Sequence, residues 1–180
     1  MKGRVEQNSG EYRRFRLVSW GYVIVVALIV VGLMFTLWFQ SIQITDNGMA
    51  PVLHKGDILL FDKLAKHVRA PQRGDAYAFR NEAGGVSLGR IVGLPGESVQ
   101  VSEGDVYING VLLNENNYVV PFDGELDEVV LSRDEFFLMP DDRTVAVLDG
   151  SAMTVTFDML IGRASARVAP WDSIAVFFAG

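Results

Sequence analysis

The sequence predicts a mainly β protein, an antiparallel β domain carried on a single N-terminal transmembrane helix. Residues 17 to 39, "LVSWGYVIVVALIVVGLMFTLWF", hold no charged side chain. Beyond residue 40, short β-branched and aromatic runs alternate with Gly, Pro, Asn and Asp. No sustained helical period interrupts that pattern.

The apolar run comes first. As a helix rising about 1.5 Å per residue it spans roughly 34 Å, enough for a bilayer core of about 30 Å. Trp20, Tyr22 and Trp38 lie toward its ends, where interfacial aromatics belong. A cleaved leader would have a shorter apolar core and a small-residue cleavage site. "TLWFQSIQI" offers neither, so a retained anchor is expected. Residues 1–16 hold five basic and two acidic residues, a balance of +3, and residues 40–180 hold 11 basic and 20 acidic, a balance of -9. The positive-inside rule then places residues 1–16 in the cytoplasm, 17–39 in the membrane and 40–180 outside it.

The strands follow in order. "DILLF" (57–61), "DAYAFR" (75–80), "VSLGRIVG" (86–93), "ESVQV" (97–101) and "DVYI" (105–108) come first. "EFFLM" (135–139), "TVAVL" (144–148), "TVTF" (154–157), "RASARV" (163–168) and "SIAVFF" (173–178) complete the set. Asn109-Gly110 predicts a type I′ hairpin, because both residues tolerate positive φ. Residues 114–135 carry seven acidic side chains and read as a solvated excursion or edge. The whole suggests an antiparallel barrel or paired sheets.

Composition excludes several chemistries. No cysteine is present, so there is no disulfide framework, thiolate zinc site or Cys nucleophile. Only His54 and His67 are available for a histidine-based metal site, and none is expected. A net charge of -6 argues against nucleic acid as a partner. "GGVSLGRIVGLPG" lacks the Gly-Lys-Ser/Thr of a phosphate loop, and no cofactor motif stands elsewhere.

Four stretches then line up with one family. "GMAPVLHKGDILLFDK" (48–63) resembles the Ser-Met-x-Pro-Thr-Leu-x-x-Gly-Asp box of type I signal peptidases, peptidase family S26. "GRIVGLPGESV" (89–99) is similar to their Lys-Arg-Val-x-Gly-x-Pro-Gly-Asp box, "VYINGVLLNE" (106–115) to the Asn-Gly segment after it, and "IGRA" (161–164) to a late strand. The resemblance covers residues 17–168. It implies a signal-peptidase-like β domain on the outer face of a bacterial cell membrane, with a shallow groove near the lipid.

In that family the Ser before Met is the nucleophile and the Lys before Arg its base. Here those positions are Gly48 and Gly89. A hydroxyl needs a neutral amine to take its proton, and glycine supplies neither group. Loss of such a pair costs about 10⁶ in kcat. The third box is worn as well. "PDDRTVAVLDG" (140–150) keeps Asp141 and Arg143, but its Ser and Asp correspond to Ala146 and Leu148. No catalytic residue is therefore expected. Asn47, Gly48, Met49, Pro51, Ser87, Gly89 and Arg90 are the candidate peptide groove, by resemblance to segments that hold substrate as an added strand. Glycine at 48 and 89 removes bulk, which either admits a larger segment or collapses the site.

Three readings stay open, the least specific being a purely structural or regulatory partner of a true signal peptidase. The first is a non-catalytic, chaperone-like accessory factor. It binds a secreted protein, a pilus subunit or its leader peptide, as family members without the pair do in sortase-dependent pilus assembly. It would partner the membrane and either sortase machinery or a true signal peptidase. The alternative is an active signal peptidase using unconventional residues. Ser87 is its best spare hydroxyl. Lys55, Lys63 and Lys66 are candidate bases, all expected in polar surroundings with charged amines. Asp46 is a lone carboxylate, and His54 a surface histidine.

Overall fold

The computed structural model describes residues 3–81, 84–115, 119–146, 149–170 and 174–176. It divides into two compact units at Trp38/Phe39. The first is helix α1 (Gly3–Trp38). Its segment Val18–Trp38 has a mean hydropathy of 2.5, is unburied, and is long and apolar enough to cross a membrane.

The second unit is built of short antiparallel strands. The first is β1 (Phe39–Gln43), then β2 (Ile58–Asp62), β3 (Ala76–Arg80), β4 (Val86–Gly93), β5 (Ser98–Ser102) and β6 (Asp105–Ile108). After these come β7 (Val111–Leu112), β8 (Leu126–Val130), β9 (Glu135–Met139), β10 (Thr154–Thr156), β11 (Leu160–Ala169) and β12 (Ala175–Val176). Two four-residue helices, α2 (Ala65–Val68) and α3 (Gly150–Met153), join them. One sheet runs β1-β2-β11-β3-β4-β9-β10 with β12 beside β11, and the other runs β7-β6-β5-β8. Of the barrel and the paired sheets, the structure has the paired sheets.

Burial follows the period-2 rule of a pleated strand. Phe137 and Met139 of β9 pack with Val99, Val101, Val106 and Ile108 of the second sheet. Phe136 and Leu138, one position out of phase, join Tyr77, Phe79 and Ile91 in another cluster. A strand buried on both faces needs a continuous apolar run, which "FFLM" provides. A third cluster gathers Ile44, Met49, Leu53, Leu59, Phe61, Ala78 and Ala164. At the β6–β7 hairpin, Asn109 and Gly110 adopt φ of 51° and 75°, the left-handed pair the turn requires.

Two expectations need correction. Residues 144–146 of "TVAVL" are not a strand. Asp142 caps a 3₁₀ turn at Arg143–Val145 by accepting from the Thr144 N–H, and this local bond outcompetes the β propensity of Thr-Val. Positions 147–148 lie outside the described residues, as do 173 and 177–178 of "SIAVFF". The acidic stretch, expected to be a solvated excursion or edge, has the edge. It contains edge strand β8, paired to β5, while Leu131 is buried and Glu115 is half-buried against Arg143. Finally, the β domain begins at Phe39 with a strand, β1, whose "FQSIQ" adjoins the apolar run and has no turn residue to separate it.

Candidate functional site

The site grows from the loop between β1 and β2. Ile44 donates its N–H to Asp57 O and accepts from Gly56 N, both at 2.9 Å, which closes residues 44–57 at its neck. Inside it, Leu53 N donates to Met49 O at 2.9 Å. Asp57 is buried and accepts from His54 N and from Arg167 Nη1. Apolar Met49 and Leu53 anchor the loop in the core. Gly48 is thereby held at a fixed place. Its carbonyl accepts from Asp142 N at 2.9 Å, and its N–H donates to Asp46 Oδ1 at 2.8 Å.

A shallow cleft, with a cavity volume of about 30 Å³, opens beside this loop. One wall is residues 42–46 with Met49, the other is Val86, Ser87 and Leu88, and Phe61 and Ala78 lie at its base. Consecutive residues of a strand point to opposite faces. Of these lining residues, Ile42 and Gln43 belong to β1 and Val86–Leu88 to β4, where a strand presents its main-chain edge, while residues 44–46 carry the first wall on into the loop. The pairing agrees. β1 is the end strand of its sheet, and β9 pairs with β4 only from Arg90 onward. Among the described residues, Val86–Gly89 has strand partners on the β3 side alone.

The two glycines converge on the end of β9. A Cβ at position 48 would lie 3.5 Å from Pro140 Cβ and 3.1 Å from Asp46 Oδ1. A Cβ at position 89 would lie 3.1 Å from Leu138 Cβ and 3.4 Å from the Phe79 ring. A side chain at 89 would therefore need Leu138 to give by a few tenths of an ångström.

The other candidate groove residues divide. Met49 and Ser87 line the cleft. Asn47 and Pro51 are exposed nearby but do not line it, and Asn47 Oδ1 is taken by Lys55 N. Arg90 is committed to structure. Its Nε and Nη2 grip Asp141 at 2.7 and 2.5 Å, and Nη1 donates to Gly74 O. Asp141 is fully buried. Arg143, also buried, pairs with Glu115 and contacts Met139 Sδ. Burial raises the Glu115 pKa, against the opposing pull of the Arg143 charge. The third box thus stands as an internal ion-pair frame behind the cleft.

No alternative nucleophile and base come together among the described residues. The Ser87 hydroxyl accepts from Asn81 Nδ2 at 3.0 Å, a brace within the β3–β4 hairpin. No lysine or histidine lines the cleft. His54 and Lys55 are exposed. Lys66 departs from its expected polar surroundings. Its Nζ donates to Phe157 O and Leu160 O at 3.1 and 2.5 Å and sits 4.9 Å from the Phe157 ring centroid. Desolvation lowers its pKa while Asp158 opposes the shift. Nothing near Lys66 in the sequence signals this, because carbonyls 91 and 94 positions away supply the site. Ile42, Gln43, Ile44, Thr45 and Asp46 were missed as a cleft wall, the first two in the unrecognised β1 and the rest in the loop that follows it.

Comparison with known proteins follows from this geometry. The family model described as "Signal peptidase, peptidase S26" matches residues 17–169. The chain is 30% identical over 157 residues to the probable signal peptidase I-2 of Synechocystis sp., covering 83% of this chain and 72% of that protein. It is 33% identical over 143 residues to the signal peptidase I of Leptolyngbya laminosa, covering 73% and 69%. Signal peptidase I T of Bacillus subtilis is 27% identical over 137 residues, covering 70% and 71%. A crystal structure of a signal peptidase I from Enterococcus faecalis V583 aligns at 26% identity with a TM-score of 0.44, covering 54% of this chain and 98% of that one.

Proposed function

Because the chain belongs to the signal peptidase, peptidase S26, family, we propose that it is a membrane-anchored member that binds extended peptides without cutting them. One observation carries this reading. Two strand edges flank a cleft, while both positions matched to the Ser/Lys pair are glycine. Unpaired edges accept a peptide as an added strand through main-chain bonds, and side-chain pockets give selectivity. Phe61, Ala78 and Leu88 supply apolar lining for such pockets.

The apolar segment Val18–Trp38 anchors the chain, with the β domain on the outer side according to its charge balance. The client is then a secreted protein or pilus subunit, or its leader, met as it leaves the membrane. The binder acts as a chaperone-like factor beside sortase machinery or a true signal peptidase.

The test uses full-length protein in detergent with a panel of leader peptides. Wild type binds them and releases no product. The Gly48→Ser/Gly89→Lys variant regains measurable cleavage, held back by the crowding at Leu138. Product from wild type refutes the non-catalytic reading. Absence of peptide binding by wild type refutes the peptide-binding one.

A further inference from the structure

Asp46 supplies the one ionisable side chain among the residues lining the cleft. The other polar members, Gln43, Thr45 and Ser87, are neutral. Its Oδ1 accepts the Gly48 N–H at 2.8 Å, and this is its one hydrogen bond among the described residues. The residue is exposed, so water solvates the second carboxylate oxygen. A peptide laid along the two edges would cover Asp46 and remove that water. A carboxylate taken from water with a single hydrogen bond is costly unless a cation meets it. A neutral segment leaves it unpaired, and an acidic one adds like-charge repulsion.

We infer that the cleft selects extended segments carrying a lysine or arginine that lies beside Asp46. The selection acts on binding and requires no chemistry. It rests on the reading of the cleft as a peptide site.

The experiment is fluorescence anisotropy on the full chain in detergent. The probes are labelled, Ala-rich extended peptides in which one residue, Lys, Gln or Glu, is walked along the segment. At one or two positions the Lys peptide binds about tenfold tighter than the Gln peptide, and the Glu peptide more weakly than both. Raising the salt erodes the Lys advantage. Asp46→Asn, which keeps an acceptor for the Gly48 N–H, brings the Lys/Gln ratio to about one by removing the charge. Asp105→Asn, an exposed position on β6 outside the cleft lining, leaves the ratio as in wild type. Equal binding of Lys and Gln peptides at every position overturns the inference and leaves the peptide site standing. A Lys preference that survives in Asp46→Asn also overturns it. Failure of wild type and Asp46→Asn to bind any peptide overturns the underlying reading as well.

Discussion

Replacing Arg90 by methionine separates a groove residue from a structural one. The substitution keeps the length of the stem and removes the guanidinium. Asp141, fully buried, then loses its bidentate partner, and Gly74 O loses a donor at 2.7 Å. Removing one member of a buried pair costs about 3–5 kcal/mol, because the remaining charge stays desolvated. The β domain holds about 140 residues. At about 2.1 cal/mol/K per residue its unfolding entropy is about 0.3 kcal/mol/K, so the penalty lowers Tm by about 10–17 °C. The assay is thermal unfolding of the full chain in detergent, followed by near-UV circular dichroism, beside leader-peptide binding measured well below Tm. The expected result is a large fall in Tm with peptide affinity within about twofold of wild type, since the side chain lies outside the cleft lining. Asp141→Leu combined with Arg90→Met recovers most of the loss, because a buried pair exchanged for apolar groups is often near neutral. An unchanged Tm with lost peptide binding would refute this reasoning and return Arg90 to the groove.

Two further outcomes follow. The raised pKa of Glu115 means that the folded state takes up its proton first as pH falls. Stability relative to Glu115→Gln therefore rises as pH falls through the folded pKa, levels off below the ordinary value of 4.5, and is read from paired Tm measurements between pH 7 and 4. Ser87→Ala costs about 0.5–1.5 kcal/mol through the lost Asn81 bond and leaves peptide turnover at background, whereas a hidden nucleophile at Ser87 would show as turnover in wild type that the variant abolishes.

The sequence was most legible where the local pattern and the tertiary demand agreed. "VSLGRIVG", "DVYI" and "EFFLM" have the bounds of β4, β6 and β9, since apolar runs between turn residues are what a buried strand needs. It was least legible where a partner distant in sequence decides. β1 looks like the tail of the apolar helix until β2 pairs with it. β8 carries Asp127 and Glu128 outward side by side, so no alternation announces it. The 3₁₀ turn at Arg143 depends on one Asp142 side-chain bond that propensity does not weigh. In the site, Gly48 and Gly89 were singled out by motif alone, as the proposed reading requires. The role of Arg90 depended on Asp141, 51 positions away.

Catalysis and strand capture draw on different atoms of the same cleft. A serine-lysine mechanism needs two side chains, one at each of two positions, held within hydrogen-bond reach. Added-strand binding needs main-chain N–H and C=O groups along an edge, together with apolar lining. On the proposed reading, glycine at 48 and 89 removes the first requirement and leaves the second in place, because every residue keeps its peptide group. The frame behind the cleft is also independent of the lost pair. Arg90–Asp141 and Arg143–Glu115 hold the turn after β9, and that turn supplies the Asp142 N–H bonded to Gly48 O. An ion-pair frame of this kind stabilises the walls of a peptide cleft whether or not a hydroxyl stands between them. The proposed non-catalytic binder is therefore compatible with this fold, and the Asp46 carboxylate on the Gly48 N–H marks the point where binding and catalysis would part company. An anion held on the N–H at the nucleophile's position opposes the negative charge that acyl transfer would develop there, yet it presents an approaching cationic segment with a partner.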